Sequence, residues 1–391
     1  MSGGTRHYDF AKELVKRGHT VTIFASSFHY SQYKELKEYK NTFYLKENIE
    51  GVEFIWLKTR TYKGNGLGRV VNMLDYMYKV QKVAKTINTK PDVIIGSSVH
   101  LFAVYAAYKT AKRIDVPFVM EVRDIWPKTL IDMGFSKWHP FIIFLGILEK
   151  FLYKKAKKII TLLPYAHEHI QKFGVEKEDI VWISNGVDID RSKDIQEFKF
   201  NSNKFHITYA GAIGEANQLG SFVKAASALK SDEELMFHII GAGPLKKKLE
   251  KSKSSNLIFH GAVAKEEAIS MIQGSNILFF PLADSPVFKY GISSNKLFDY
   301  LASKKPVIFA SNAKNNPIKD ANAGLSISPN SEEDIVLAIQ KLKSMKEQEV
   351  EQLGLNGLEY VSKYFSIPVL TDKLEACLSS LVYNHQKNEN I

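Results

Sequence analysis

The chain has 391 residues, enough for two domains that each bury a core of their own. An apolar share of 45% and a charged share of 24% exclude a disordered or collagen-like polymer. The one cysteine, Cys377, excludes an intrachain disulfide and a cysteine zinc site, and it points to the cytoplasm. The net charge of +11 is uneven: residues 1–190 hold 29 basic and 20 acidic side chains, residues 191–391 hold 24 and 22. A basic first half suits a phosphorylated ligand or an acidic membrane surface. Nucleic acid is disfavoured, because the basic residues are not clustered among aromatic ones. The longest apolar run, 141–148, is too short to span a bilayer, and MSGGTRHYDF lacks the apolar segment of a signal peptide.

In chain order, the sequence opens on Ser2-Gly3-Gly4 and enters a helix over 5–16 that Gly18 ends. Strand patterns follow at 21–25, 52–57, 92–96, 118–122, 158–162 and 180–183, with helices over 69–87, 101–113 and 140–156. Residues 186–204 are polar and without a long apolar run, so a domain boundary is placed there. Strands then recur at 206–210, 236–240, 257–260, 277–281, 306–310 and 324–327, separated by helices, before a helical tail from 331. This alternation predicts an α/β chain: two Rossmann-like domains facing a central cleft, ligands at the carboxyl ends of parallel strands. The expected domains are 1–190 and 191–365, with a helix over 366–391 packing back on the first. A doubly wound domain ordinarily starts with a central strand ahead of its glycine loop. None precedes Gly3-Gly4, so its two neighbours are expected to have an unpaired side. The functional protein is accordingly expected to begin some way upstream of Met1.

Several residues could carry chemistry. Ser294-Asn295-Lys296 reads as a helix start, where backbone amides and a lysine would favour phosphate. Asp299, a turn further on, could accept two hydrogen bonds from a ribose diol; a capped surface helix fits the same residues. Glu121-Val122-Arg123-Asp124-Ile125-Trp126-Pro127 ends a buried strand. Asp124 could orient an acceptor hydroxyl or steady an oxocarbenium, with Arg123 neutralising phosphate, or the two could be a structural pair. His100 lies at the same strand edge, in a cleft or a structural role. Asp188-Ile189-Asp190 has the spacing of a nucleotide–metal motif but also suits a solvated turn, and no residue cluster has convincing metal spacing. Residues 138–158 combine apolar and aromatic positions with a basic end, the composition of a membrane-surface helix.

The sequence resembles family 4 glycosyltransferases, retaining enzymes of the two-Rossmann-domain (GT-B) type. Four segments carry the likeness in order: Gly3-Gly4-Thr5-Arg6 with the helix after it, Ser184-Asn185-Gly186-Val187-Asp188, Tyr209-Ala210-Gly211-Ala212-Ile213-Gly214, and Lys296-Leu297-Phe298-Asp299-Tyr300-Leu301-Ala302. The resemblance implies that Asp299 binds the donor ribose and that Lys296 with the amides of Ser294 and Asn295 holds the diphosphate. It implies that Gly211 and Gly214 lie beside that diphosphate, Gly243 flanks the pocket and Val263 meets the base. Gly3, Gly4, His100, Glu121 and Trp126 would face the acceptor, and Arg123 and Asp124 would be catalytic. The family's first acid falls at Gly291, basic residues of its second-domain loop are replaced by Ala212 and Asn217, and Arg123 stands where many members have a histidine.

RDxWP at 123–127 further resembles transferases of N-acetyl-L-fucosamine in bacterial surface-polysaccharide synthesis. The implied reaction needs no metal or other cofactor. A UDP-sugar donates to a polyprenyl-diphosphate-linked or glycan acceptor by same-face attack, the leaving phosphate taking the acceptor proton. The implied location is the inner face of an anionic membrane, peripherally bound. A UDP-sugar epimerase on the same fold and a non-catalytic UDP-sugar binding protein remain alternative readings.

Overall fold

In the computed structural model the described residues are 5–29, 32–64, 66–98, 100–200 and 203–389. Gly3 and Gly4, expected at the acceptor side, lie outside them. The chain divides into two compact units: Met1–Ser184 with Leu370–Ile391, and Asn185–Val369. The passage comes at 184–185, six residues before the expected boundary. Asn185 is already fastened to the second unit, its N–H donating to Ser293 Oγ (2.8 Å) and its Nδ2 to the Ser293 carbonyl (2.5 Å). Val187 is bridged to Ser366 in the same unit.

In the first unit, β1 (Thr22–Ser26) is followed by two short strands, β2 (Phe28–His29) and β3 (Lys34–Glu35), which form an antiparallel pair of their own. Then come β4 (Tyr44–Ile49) and β5 (Val52–Leu57), joined by a tight hairpin in which Glu50 and Gly51 both take positive φ. The alternating polar residues of β4 gave no strand pattern. β6 (Ile94–Ser97), β7 (Phe118–Val122), β8 (Lys158–Thr161) and β9 (Ile180–Trp182) form a separate, wholly parallel sheet in that order. The first sheet runs β1-β5-β4. Among the described residues β1 pairs only with β5 and β6 only with β7, so each has one side without a strand. Ile95, in the middle of β6, is correspondingly exposed.

Helix Ile367–Glu389 returns to this unit: Leu370 and Leu374 share a core with Phe10, Leu14, Val119, Ile160 and Ile183. Arg17 fixes it from outside, Nη1 lying 2.8 Å from both Asp372 and Glu375.

The second unit is one six-stranded parallel sheet, ordered β12-β11-β10-β13-β14-β15. Its strands are β10 (Phe205–Ala210), β11 (Leu235–Ile240), β12 (Leu257–Gly261), β13 (Ile277–Pro281), β14 (Val307–Ala310) and β15 (Gly324–Ile327). β13 explains why such strands read as unbroken apolar runs. Ile277 and Phe279 face one core beside Phe222, while Leu278 and Phe280 face the other beside Leu297 and Tyr300. The strand order reverses at β10, and the carboxyl ends there open on a crevice. Among the described residues no helix is long and apolar enough to cross a membrane.

Candidate functional site

At the carboxyl ends of β10 and β11 lies a cavity of about 340 Å³. Gly211, Ala212, Gly241, Ala262, Val263, Lys265, Lys296 and Asp299 are among its lining residues. Helix Asn295–Ala302 supplies two of them. Its apolar side (Leu297, Phe298, Leu301) is buried against the sheet, so Lys296 and Asp299 fall on the cavity side. Tyr300 locks the helix to β10, its hydroxyl accepting from Ala210 N–H at 2.7 Å.

Lys296 Nζ lies 4.7 Å from the ring centroids of both Tyr209 and Phe280 and donates to Asn217 Oδ1 at 2.6 Å. Burial against these rings pulls its ammonium down to about 7. Asp299 meets Lys265, Nζ to Oδ1 3.7 Å. Lys265 was not singled out in the sequence. It opens helix Lys265–Gln273, two residues after Val263, which the resemblance sets at the base, and that spacing was the available signal.

Four expected donor residues do not line the cavity. Gly243 serves packing: a Cβ there would lie 2.1 Å from the Ile213 carbonyl oxygen, so the two strand-end loops touch only because it has none. Gly214 precedes the short turn Glu215–Asn217. Ser294 and Asn295 begin the helix just described, Ser294 as its N-cap. Gly291 has φ +91°, a backbone conformation that disfavours the carboxylate expected at this position.

In the first unit, β7 is buried along its whole length and ends at the EVRDIWP segment. Glu121 is itself buried and does not face solvent. Its Oε1 accepts from Arg6 Nε (2.8 Å), its Oε2 from His7 Nε2 (2.7 Å) and Ser97 Oγ (2.5 Å). Burial would push this carboxyl up, but the charges of Arg6 and His7 and the bonds from His7 and Ser97 hold it well below the carboxylate range. Arg123 donates its N–H to Ser98 Oγ at 3.0 Å, and its buried Nε has no hydrogen-bond partner. Asp124 accepts from Thr129 Oγ1 at 2.6 Å. Trp126 is buried, with the Arg69 guanidinium 5.9 Å from its ring centroid.

His100 caps helix Leu101–Ile114, Nδ1 accepting from Ala103 N–H at 3.1 Å. Burial and the charge of Arg69 lower it to about 4, so it is neutral at pH 7. Among the described residues no group of three or more His, Cys, Asp or Glu side chains could hold a metal ion. Asp188 instead caps the short helix Ile189–Lys193, accepting from Arg191 N–H at 3.3 Å.

Two units, each built largely on parallel strands joined by helices, place the chain in the GT-B fold class. Residues 2–191 match the family described as Glycosyltransferase Family 4, and residues 204–344 match Glycosyl transferases group 1. Each half of the chain thus resembles a glycosyltransferase family model, the first half that of family 4.

It is 24% identical over 254 residues to "Putative colanic acid biosynthesis glycosyl transferase WcaI" of Escherichia coli (strain K12), a match covering 61% of each chain. The UDP complex of Alr3699/HepE from Anabaena is similar with TM-score 0.67 at 14% identity, covering 97% of both chains. The sucrose-phosphate synthase of Thermosynechococcus elongatus is similar with TM-score 0.74 at 12% identity, covering 98% of this chain and 94% of that one.

Proposed function

We propose that the protein is a retaining glycosyltransferase that moves a sugar from a UDP-sugar to a lipid-linked or glycan acceptor in surface-polysaccharide synthesis. An N-acetylated hexosamine type, such as N-acetyl-L-fucosamine, is the proposed sugar, and no metal takes part. The observation that carries this reading is the cavity holding Lys296 and Asp299 at the strand ends of the second unit. Asp299 accepts the ribose hydroxyls, Lys296 and the Gly211 loop receive the diphosphate, and Val263 lies beside the base. The complexes of the Anabaena neighbour with UDP and with UDP-glucose support uridine as the nucleotide. The relative assigned by name to colanic acid biosynthesis supports a polysaccharide acceptor.

On the first unit, Arg123 and Asp124 meet the acceptor. The unpartnered Arg123 Nε favours a phosphate-bearing one. Exposed Met133, Phe135, Trp138, Ile143, Phe144 and Ile147 beside Lys150, Lys154 and Lys155 suit an anionic bilayer in which such an acceptor sits. The test is a screen of UDP-sugars against extracted lipid-linked acceptors, with product mass as readout. A sugar-extended lipid is the expected result. A converted UDP-sugar without acceptor would establish an epimerase instead, and UDP binding without turnover a binding protein.

A further inference from the structure

Lys296 is a cation kept by uncharged neighbours. Its Nζ donates to Asn217 Oδ1 (2.6 Å) and to the Tyr209 hydroxyl oxygen (3.4 Å), between the rings of Tyr209 and Phe280. Both partners can only accept from it. The Tyr209 hydroxyl gives its one hydrogen to the Ala212 carbonyl (2.6 Å), and burial pushes this phenol up from its ordinary value, so it stays protonated. Asn217 Nδ2 donates to the same carbonyl (3.0 Å), which turns Oδ1 towards the lysine. The charged groups that share the cavity are Lys265 and Asp299, and Asp299 meets Lys265 at 3.7 Å. Among the described residues no ion pair joins a carboxylate to Lys296.

In its neutral form this amine has two hydrogens, one for Asn217 and one for Tyr209, and its lone pair is left over. Burial sets its ammonium at about 7, so at pH 8 about 0.9 of it is free amine, against about 0.004 of an ordinary lysine. Because Lys296 lines the cavity, a small reagent can meet it there. A desolvated lysine near a second cation has the setting of a nucleophile.

We infer that Lys296 is a modification site, acylated by acyl phosphates that enter the cavity when no donor occupies it. The reagent's phosphate is drawn by Lys265 to the place that the proposed function gives to the donor diphosphate, and its carbonyl carbon is brought to the amine. The lone pair of Nζ forms the new C–N bond. The bond from the acyl carbon to the phosphate oxygen breaks, its electron pair leaving on phosphate, and the amine proton goes to that phosphate. The products are an amide and inorganic phosphate. The amide is neutral where the diphosphate needs a cation, so acylation weakens UDP binding, and bound UDP shields the amine. The placing of the phosphate rests on the donor reading, whereas the reactivity of the amine does not.

The test incubates the full chain with acetyl phosphate at pH 8, with and without UDP, and follows each lysine by mass spectrometry of its peptides. Lys296 should be acetylated about tenfold or more faster than the exposed Lys150, its lower basicity cancelling part of the gain in free amine. Its rate should level off above about pH 7, while that of Lys150 should go on rising about tenfold per unit. UDP should slow Lys296 about tenfold and leave Lys150 unchanged. Asn217→Asp, which sets a carboxylate beside the lysine, should raise its ammonium and slow its acetylation at pH 8 about tenfold. Acetylation of Lys296 no faster than that of Lys150, or rates that climb in parallel to pH 9, would overturn the assignment. Fast acetylation that UDP does not retard would uphold the nucleophile and remove the diphosphate from Lys296. UDP affinity lost in Lys296→Met, without fast acetylation of the wild type, would sink the modification site and keep the donor reading.

Discussion

Lys265 reaches Asp299 from the helix that follows β12, Nζ to Oδ1 3.7 Å, and so places a cation beside the acid proposed for the ribose. The lysine is 39% exposed, and ion pairs of that kind contribute little, ~0.2–1 kcal/mol. Its hold on Asp299 is therefore weak enough for ribose hydroxyls to replace. Charge-assisted hydrogen bonds contribute about 1.5–3 kcal/mol. Asp299→Asn should accordingly lower UDP affinity tenfold or more, with the melting temperature kept, and Lys265→Ala should cost less than that. Calorimetric titration with UDP checks both, and an unchanged affinity in Asp299→Asn removes this residue from the site.

With the diphosphate placed at Lys296, UDP binding should be a protonation event. In the free protein its ammonium titrates at about 7 because it is buried against Tyr209 and Phe280. A diphosphate beside it favours the charged form and raises that value. At pH 8 the free lysine is mostly neutral and the bound one charged, so binding should take up most of one proton. Below about pH 6 the uptake should vanish. Affinity should also weaken as pH rises above 7, by up to tenfold per unit. Titrations in buffers of different ionisation enthalpy measure the uptake. Lys296→Met should abolish it, and uridine in place of UDP should produce none.

The second unit was legible in the sequence because its inner strands are buried on two faces: β13 and β14 are apolar at every position, and their run lengths separate them from helices. β4 was not legible, because one side of it meets water and its residues alternate with lysine and glutamate. Asp299 and Lys296 could be found because four residues of helix hold them one turn apart. The pairing of His7 with Glu121 could not. Their contact spans 114 residues and exists only once β7 has been laid beneath the first helix. Gly243 shows the converse: its loop suggested a ligand, whereas its missing Cβ makes room for the Ile213 carbonyl.

A row of three histidines crosses the second sheet and predicts acid sensitivity. His238 Nε2 is 2.9 Å from His206 Nδ1, and His238 Nδ1 is 2.9 Å from His260 Nε2, with Phe200 stacked over the first two rings. Burial, with His206 and His260 beside it, lowers His238 to about 3. Above the unfolded value of about 6.5 both states are neutral there and nothing is lost. Between 6.5 and 3 the unfolded chain binds a proton that the native one refuses, so stability falls as pH falls, by about 1.4 kcal/mol per unit. From pH 7.5 to 5 this group should contribute a loss of about 2 kcal/mol. Urea midpoints of wild type and His238→Asn measure it, the variant being expected to show the shallower pH dependence. Equal slopes would show that His238 is protonated in the native state.

The apolar side of helix Pro140–Lys155 provides the last prediction. Ile142, Leu145, Leu152 and Tyr153 are buried on one face, and Ile143, Phe144, Ile147 and Phe151 are exposed on another. Trp138, 75% exposed in the preceding loop, extends that surface, and Lys150, Lys154 and Lys155 stand at its end. Apolar side chains of this kind insert at the headgroup boundary, and each lysine near an anionic surface adds about 1 kcal/mol. The protein should therefore bind vesicles containing phosphatidylglycerol about a hundredfold more tightly than neutral ones. The difference should shrink between 50 mM and 500 mM salt, since the screening length falls below about 10 Å above 0.1 M. Ile147→Asp and Trp138→Ser should weaken binding at low salt as well, because they remove the inserted part. Neither should alter UDP affinity, since the cavity belongs to the second unit. No binding to either kind of vesicle would separate this surface from any membrane, and equal binding to both would remove the lysines from it.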